Sequence, residues 1–254
     1  MGAINEISQK SSFANCSCIM SSPLAKKNKS WLRKLFIDSH QHLSHKTRVR
    51  IIGVSIAEII SSEFRCQKKI ACLDLGCGDM EISLCIQKEI PQTSWIGTDI
   101  HDASDNIQLP FDYIKFDGKS LPFQYHEFDL VLLCDVLHHI PVSIQNRIIR
   151  ECARVAKKII IKDHFEKGLF SRLVLMAMDF LGNWAYGVSA PKKYFTKKSF
   201  TQFCRNNSLD MALKVSQMEL YKSLPSLIRI MLSPELHFIA VVSPCERGPG
   251  TTCV

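Results

Sequence analysis

A glycine turn that follows a short apolar run, residues 73–79 (LDLGCGD), most constrains how this chain can fold. The apolar start of the stretch is typical of the end of a buried strand. Gly76, Cys77 and Gly78 form a tight turn after it, and Asp79 can cap a following helix. Glycine has no side chain and tolerates positive φ, so the backbone here can approach a ligand closely. The pattern predicts a nucleotide-type site at the carboxyl edge of a parallel sheet.

Strand-like and helix-like segments alternate along most of the chain. Repeated β-α alternation predicts an α/β fold, with an open, mostly parallel sheet, right-handed crossovers and helices on both faces. Two later strands would bring the sheet to seven. The predicted strands are residues 70–75, 94–99, 113–116, 128–134, 158–161, 211–215 and 237–242.

The periodic part of the chain has polar flanks. Residues 1–29 are rich in Ser, Asn and Lys and predict a flexible leader, and residues 243–254 predict a frayed tail. The main domain therefore spans residues 30–242. Within it, residues 165–195 form an insertion after the fifth strand that we interpret as a substrate lid.

Charge and cysteine content limit the class of protein. The formal net charge is +8, but there is no arginine-rich tract, so we expect a solvated basic surface and no nucleic-acid partner. The spacing of the 11 cysteines gives no disulfide framework, which favours reduced thiols in a cytoplasmic protein. His40, His42 and His45 lie close together, but no acidic or cysteine ligand pattern accompanies them. We expect an exposed helix end or connector there, and no metal site in the chain.

Polar residues recur where successive strands end, which is the edge at which open α/β sheets bind ligands. Asp74 precedes the glycine turn, and Asp99 ends the second strand, where a carboxylate can accept both hydroxyls of a ribose. Asp117 follows the third strand and could accept the exocyclic amine of adenine. Residues 134–139 (CDVLHH) follow the fourth strand. Glu81 stands where a dinucleotide fold needs its third glycine, which disfavours a pyrophosphate and predicts an adenosine ligand without phosphates.

These motifs, LDLGCGD, IGTDI, FDG-x-x-LPF and FDLVLLCDVLHHI, resemble the consecutive motifs of class I S-adenosylmethionine-dependent methyltransferases. The resemblance covers residues 47–242 and is strongest to the branch that acts on small molecules and lipids. It implies a Rossmann-like fold and S-adenosylmethionine as the cofactor. Met80 departs from the pattern, since many members carry a third glycine there. The implied cofactor-binding residues are Asp74, Gly76, Cys77 and Gly78 with Cys134 near the methionyl part, Asp99 at the ribose, and Ile100, Asp117 and Gly118 around the adenine.

A hydroxyl or an acidic carbon that accepts a methyl group is helped by a general base. His138 and His139 follow the fourth strand, and Asp163 and His164 follow the fifth, so all four are candidates for this role or for lining the cofactor pocket.

The insertion suggests the character of the acceptor. It is apolar and aromatic, which predicts a small, partly hydrophobic or lipid-like substrate whose O or C atom is methylated. Its lysines could meet an anionic group or a membrane surface, or could simply be solvated. The aromatic and basic residues are Trp184, Tyr186, Tyr194 and Phe195, and Lys192, Lys193, Lys197 and Lys198.

Two other functions remain open. One is a methyltransferase acting on protein or RNA, although the chain lacks the (N/D)-P-P-(Y/F/W) pattern after the fourth strand that methylation of planar amines requires. The other is a non-catalytic module that keeps the fold for binding, against which the intact Asp99 and glycine turn argue.

Overall fold

The computed structural model describes residues 45–103, 108–183, 194–221 and 232–245, without the side chains of 181–183. All described residues belong to one unit. The predicted leader, His40, His42 and most of the predicted tail lie outside the described residues. The same is true of Trp184, Tyr186, Lys192 and Lys193.

The described strands form a seven-stranded sheet in the order β3-β2-β1-β4-β5-β7-β6. Strands β1 to β5 pair in parallel, and β7 runs antiparallel between β5 and β6. The prediction of a mostly parallel seven-stranded sheet is confirmed. The strands are β1 Ile70–Leu75, β2 Thr93–Asp99, β3 Asp112–Lys115, β4 Phe128–Cys134, β5 Ala156–His164, β6 Leu209–Val215 and β7 His237–Pro244.

Helices cover both faces of this sheet, as predicted. Two of them, α1 and α2, pack on one face, and α3 and α5 pack on the other. None of the described helices combines the length and apolar character needed to cross a bilayer. The helices are α1 Lys46–Glu63, α2 Glu81–Glu89, α3 Val142–Val155, α4 Leu169–Asn183 and α5 Lys197–Asn206, with 3₁₀ turns at Leu137–His139 and Pro234–Leu236.

Strand β4 lies at the centre of the core. Its residues Leu130 to Leu133 are completely buried, and alternate ones join opposite clusters because successive side chains point to opposite faces. Leu132 packs in the cluster that contains Ile56 of α1, whereas Leu133 packs in the cluster that contains Phe200 of α5. This double coverage explains the nearly continuous apolar sequence of the strand.

Strand β5 is longer than the sequence predicts. The expected end was residue 161, but the strand continues to His164, so Asp163 and His164 lie within the strand rather than after it. The cause is distant in sequence: β7 pairs with this extension, with Asp163 opposite Phe238 and His164 opposite His237. The last three residues of β5, Lys162, Asp163 and His164, are therefore polar side chains that are buried.

The start of the predicted frayed tail is also ordered. Strand β7 continues to Pro244, which is opposite Leu209 of β6. The backbone N–H of Cys245 then donates to the carbonyl of Ser208 at 2.9 Å. The prediction of a frayed tail is wrong for residues 243–245, because an edge strand supplies their partners.

The helices α5 and α2 begin with different caps. Thr196 caps α5 and forms a reciprocal capping box with Ser199. At α2 the capping position belongs to Met80, whose φ is +59°, rather than to Asp79. The Asp79 carboxylate nevertheless accepts the backbone N–H of Glu81 at 3.1 Å, so it still satisfies one donor of the first turn.

Candidate functional site

The glycine turn after β1 lies between the ends of β2 and β4. Gly76 and Gly78 have φ of +71° and +54°, and the N–H of Gly76 donates to the carbonyl of Thr98 at 2.8 Å. A Cβ on Gly76 would lie 2.6 Å from a methyl group of Val136, so only glycine fits there. A Cβ on Gly78 would meet nothing within 4 Å. Val136 therefore covers the turn at Gly76. No neighbouring side chain among the described residues covers Gly78, so a ligand can approach the backbone there.

A second glycine requirement lies inside β2. A Cβ on Gly97 would lie 1.7 Å from Cε of Met80 and 2.8 Å from Sγ of Cys77. Met80 is only 1% exposed, and its side chain fills the space that Gly97 leaves open. Sequence reasoning noticed Met80 as a departure from the family pattern but missed Gly97. The signal was available, since a glycine inside a strand often marks a close approach.

Asp74 joins the turn to the start of α2. Its side chain is buried, and its Oδ2 accepts a hydrogen bond from the Ser83 hydroxyl at 2.5 Å. Burial raises the pKa of Asp74 to about 7, and the nearby carboxylates of Asp79 and Asp99 act in the same direction. Asp74 is therefore poised to ionise near neutral pH. Ser83, which sequence reasoning missed, helps to set this property.

Asp99 and Ile100 lie at the carboxyl end of β2. One oxygen of Asp99, Oδ1, accepts the N–H of His101 at 3.1 Å, while Oδ2 makes no hydrogen bond with any described residue. The Ile100 side chain is 51% exposed. A Cβ on Gly118 would lie 3.2 Å from Cγ2 of Ile100, so the loops after β2 and β3 meet here. The structure thus brings together three of the predicted cofactor residues.

Asp117 shapes the loop after β3. Its Oδ1 accepts the backbone N–H groups of Lys119 at 2.8 Å and Ser120 at 2.9 Å. These bonds lower the pKa of the carboxyl group, so it remains ionised near neutral pH. The side chain is exposed, and Gly118 beside it has φ of +72°. Asp117 therefore fixes the backbone of the loop whose Gly118 lies next to Ile100.

A partly buried ionic group follows Cys134 at the end of β4. Asp135 has φ of +58°, and its carboxylate lies 2.5 Å from Nζ of Lys162 and 2.8 Å from Nη2 of Arg48. Burial acts to raise the pKa of Asp135, but the cationic side chains of Lys162 and Arg48 outweigh it and hold the pKa well below its usual value. Sequence reasoning missed this group, because its members come from α1, β4 and β5.

His138 and Asp163 form a buried pair next to it. Nδ1 of His138 lies 2.5 Å from Oδ1 of Asp163. The carboxylate also accepts the backbone N–H groups of His138 at 3.2 Å and His164 at 2.7 Å. Burial lowers the pKa of His138, but Asp163 and then Asp179 more than compensate, so the net shift is upward. The structure therefore joins two of the predicted catalytic residues into one unit.

The other two predicted catalytic residues flank this pair. His139 follows in the same 3₁₀ turn, with its ring centroid 4.2 Å from that of His138. His164 lies between His138 and His237, at 5.2 and 4.7 Å between ring centroids. Burial lowers the pKa of His164, and Lys162 lowers it further. His164 is accordingly held neutral inside the protein, behind the pair.

The described part of the predicted lid is anchored to the sheet. Phe165 and Phe195, near its two ends, form an isolated bridge, and the N–H of Glu166 donates to the carbonyl of Phe195 at 2.8 Å. Tyr194, expected to line a lid, is only 1% exposed, and its hydroxyl donates to Asp179 of α4. The same carboxylate faces the His138 ring, so this part of the insertion closes over the buried pair.

The fold and this arrangement agree with the comparison to known families. Residues 73–159 match a family described as a methyltransferase domain. The fold of the chain is that of the class I S-adenosylmethionine-dependent methyltransferases. The fold class, cofactor and type of enzyme predicted from the sequence are thereby confirmed. Among curated proteins, no sequence matches this chain.

Several solved methyltransferases share the fold. An S-adenosylmethionine-dependent methyltransferase from Methanosarcina mazei is 18% identical, with a TM-score of 0.51 over 74% of this chain and 98% of its own. A methyltransferase bound to the Trm112 activator from Haloferax volcanii is 12% identical, with a TM-score of 0.54 over 88% and 98%. The plantazolicin methyltransferase BpumL, solved with a substrate analogue and S-adenosylhomocysteine, is 12% identical, with a TM-score of 0.53 over 88% and 92%. At these identities the likeness concerns the fold alone.

The residues of this methyltransferase fit the cofactor. The open side of Gly78 admits a ligand to the backbone, and the exposed Ile100 offers an apolar surface for a purine ring. Oδ2 of Asp99 is available to accept from ribose hydroxyls. All three lie at the carboxyl edge of the parallel strands, where the fold binds ligands.

Proposed function

We propose that this methyltransferase moves the methyl group of S-adenosylmethionine to an oxygen or carbon atom of a small, partly hydrophobic acceptor. The bond between the methyl carbon and the sulfonium sulfur breaks as the new C–O or C–C bond forms. The cofactor leaves as the neutral thioether S-adenosylhomocysteine. Because the sulfonium is already activated, the protein mainly has to align the acceptor at near-attack distance and exclude water.

Each predicted cofactor residue receives a role in this proposal. Asp99 accepts the two ribose hydroxyls, and Ile100 packs against the adenine together with Gly118, while Asp117 accepts its exocyclic amine. The backbone around Gly78 faces the methionyl part. Cys134 contributes its backbone near the methionyl ammonium group, and Asp74 adds negative charge on the same side.

The observation that carries the acceptor assignment is the buried pair of His138 and Asp163. Val136 contacts the glycine turn at Gly76, and the 3₁₀ turn that carries His138 begins at the next residue, so it adjoins the cofactor turn along the chain. Its Nδ1 is engaged by Asp163, and its Nε2 points to Asp179 of the insertion. We place the reacting atom of the acceptor beside Nε2, where a hydroxyl or acidic carbon would lose its proton. His139 adjoins this position and His164 supports it from behind.

The exposed apolar side of helix α4 is consistent with an acceptor that has apolar character. Val174 and Leu175 on one side of the helix are buried, whereas the opposite side is exposed to solvent. Such a surface also supports a peripheral contact with a membrane, to which the exposed Lys197 and Lys198 at the start of α5 could add positive charge. A cytoplasmic location remains a prediction from the cysteine content. The exposed apolar residues are Leu169, Phe170, Leu173 and Phe180.

The alternative of a protein or RNA substrate is tested by the same experiment. The purified enzyme is incubated with cell extract and S-adenosylmethionine that carries an isotopic label in its methyl group. The extract is then separated into small molecules, lipids, protein and RNA. We expect the label among the small molecules or lipids, and reduced transfer by Asp99→Ala at the same subsaturating cofactor concentration. Label that depends on the enzyme but is recovered only in protein or RNA would contradict the proposed acceptor.

A further inference from the structure

The side of His138 that faces away from Asp163 is unusual. Its Nε2 is buried and has no hydrogen-bond partner among the described residues. It lies 3.5 Å from Oδ2 of Asp179, with side-chain exposures of 1% and 15% respectively. A buried nitrogen facing a carboxylate without a hydrogen bond requires a physical explanation.

The hydrogen bonds of Asp163 identify the form of the imidazole. The Asp163 carboxylate accepts the backbone N–H groups of His138 and His164, so both of its oxygens already act as acceptors. In its contact with Nδ1 of His138 the carboxylate is therefore again the acceptor, and Nδ1 is the donor. His138 in its neutral form then carries its proton on Nδ1 and presents a lone pair at Nε2. A lone pair and a carboxylate oxygen repel each other unless a cation lies between them.

The separation of the two atoms favours a metal ion over a proton. A charge-assisted hydrogen bond would bring nitrogen and oxygen to about 2.7–2.9 Å. Two ligands of zinc, each about 2.0–2.1 Å from the metal, are about 3.3 Å apart at the tetrahedral angle. The observed 3.5 Å between His138 and Asp179 is close to the second value.

A third ligand lies next to these two. One ligand atom each from His138, His139 and Asp179 can be chosen so that all three lie within 4.8 Å of one another. Two imidazoles and one carboxylate form a common ligand set for zinc and related divalent ions. The sequence did not suggest this set, because Asp179 is far from the two histidines along the chain.

Two further side chains orient the ligands. Asp163 holds Nδ1 of His138, and the Tyr194 hydroxyl donates to Oδ2 of Asp179. Hydrogen-bond partners of this kind fix the orientation of metal ligands in known sites. Among the described residues, the two other clusters of possible ligands lack these features: in one, Asp163 is already saturated by N–H donors, and in the other Asp79 and Glu81 are exposed.

We propose that His138, His139 and Asp179 bind a divalent transition-metal ion, for which zinc has the best geometry. Three protein ligands leave the fourth position open, which is typical of catalytic rather than structural zinc sites. The catalytic meaning of the site rests on the proposed function. With the ion bound, Nε2 of His138 would be a ligand, and the ion would replace it in activating the acceptor. The hydroxyl oxygen of the acceptor would bind at the fourth position and lose its proton to solvent, and the resulting oxygen anion would attack the methyl group as the S–CH₃ bond breaks. The site therefore selects oxygen acceptors.

The test uses cobalt(II) as a probe on the full-length, metal-stripped enzyme under reducing conditions. Absorption spectra distinguish nitrogen and oxygen ligands from thiolates, which matters because the chain has 11 cysteines. We expect one equivalent of cobalt to bind in a tetrahedral-type spectrum without a thiolate charge-transfer band. His139→Ala and Asp179→Asn should each weaken binding at least about 100-fold, and Tyr194→Phe, which removes only the orienting hydroxyl, about 10- to 100-fold.

His126→Asn is the matched control. His126 lies in the turn before β4, at the opposite edge of the sheet, and asparagine tolerates its φ of +53°. This variant should bind cobalt like the wild type. Absence of binding, a thiolate band, or equal affinity in the wild type, His139→Ala and Asp179→Asn would overturn the proposal. Unfolding curves of each variant exclude misfolding. Titration of the same wild-type preparation with S-adenosylhomocysteine separates failure of this site from failure of the methyltransferase assignment.

Discussion

Nδ1 of His138 and Oδ1 of Asp163 lie 2.5 Å apart, and neither side chain is more than 1% exposed. Because the ends of two central strands meet in this pair, we expect it to stabilise the fold as well as the site. Asp163→Asn keeps the shape but removes the charge that accepts three N–H groups. The free energy of unfolding should fall by about 1.5–3 kcal/mol, the usual cost of losing a hydrogen bond to a charged group.

Urea denaturation of the wild type and the variant measures this loss. Asp102→Asn provides the comparison, since it removes a carboxylate that is 84% exposed and pairs with Lys115 on the surface. The free energy of unfolding of Asp102→Asn should equal that of the wild type within experimental error. Equal stability of the two variants would mean that the buried pair does not hold β4 and β5 together.

The ionisation of Asp74 should control cofactor affinity near neutral pH. Its pKa is raised to about 7 by burial, so it is largely protonated at lower pH. S-adenosylmethionine carries a sulfonium and an ammonium group against one carboxylate, and it should prefer the ionised side chain. Its affinity should rise by up to about tenfold per pH unit below 7 and level off above it. Calorimetric titrations across this range should give a flat profile for Asp74→Asn, and an equally steep profile in that variant would exclude Asp74 as the cause.

The same group also affects stability. Its folded-state pKa lies above the ordinary value near 4, so its contribution to stability is complete below about pH 4 and is lost as the pH rises through about 7. The pH dependence of unfolding of the cofactor-free protein should therefore be weaker in Asp74→Asn over this range. An unchanged slope would contradict the raised pKa.

Gly97 should be intolerant of even one methyl group. In Gly97→Ala the new Cβ would overlap Cε of Met80, so the side chain beneath the glycine turn must move. We expect a loss of about 1–3 kcal/mol in stability from overpacking, together with weaker cofactor binding. The second-site change Met80→Ala removes the overlapping atom and should restore part of both. Thermal unfolding and cofactor titration of both single variants and the double variant test this coupling, which independent effects of the two changes would disprove.

Lys162 and Asp135 should depend on each other. Lys162 is completely buried and pairs with Asp135 at 2.5 Å. Lys162→Met leaves the carboxylate with fewer cations, and Asp135→Asn leaves a buried ammonium group, so each change should cost about 3–5 kcal/mol. The double variant removes both charges and should cost clearly less than the sum. Additive losses in a double-mutant cycle would show that the two side chains are not coupled.

Much of the fold followed from local patterns. The apolar run of β4 and the glycine turn after β1 each act within a few residues, and both were predicted at their correct positions. The extension of β5 to His164 was missed because β7, the strand that pairs with it, lies more than seventy residues later. Strand ends that depend on a distant partner carry no local signal.

The residues of the site also divide into those with a local sequence signal and those that depend on a distant partner. Asp99, Gly78 and Ile100 were found because the family motif places them in consecutive stretches of sequence. Asp135 and Asp179 were missed, since their importance comes from partners on other elements: Lys162 and Arg48 for the first, His138 and Tyr194 for the second. Interactions between side chains on distant elements can be recognised only in the three-dimensional structure.

The most direct test of the account is calorimetric titration of the full chain with S-adenosylhomocysteine, using the wild type, Asp99→Ala and Asp112→Ala. Asp112 is an exposed carboxylate at the opposite end of β3 and controls for loss of charge. We predict that the wild type and Asp112→Ala bind one equivalent with similar affinity. Asp99→Ala should bind at least ~1–3 kcal/mol more weakly, because the ribose hydroxyls lose a charged acceptor. No heat with the wild type, or equal affinity in Asp99→Ala, would contradict the assignment of this sheet edge as the cofactor site.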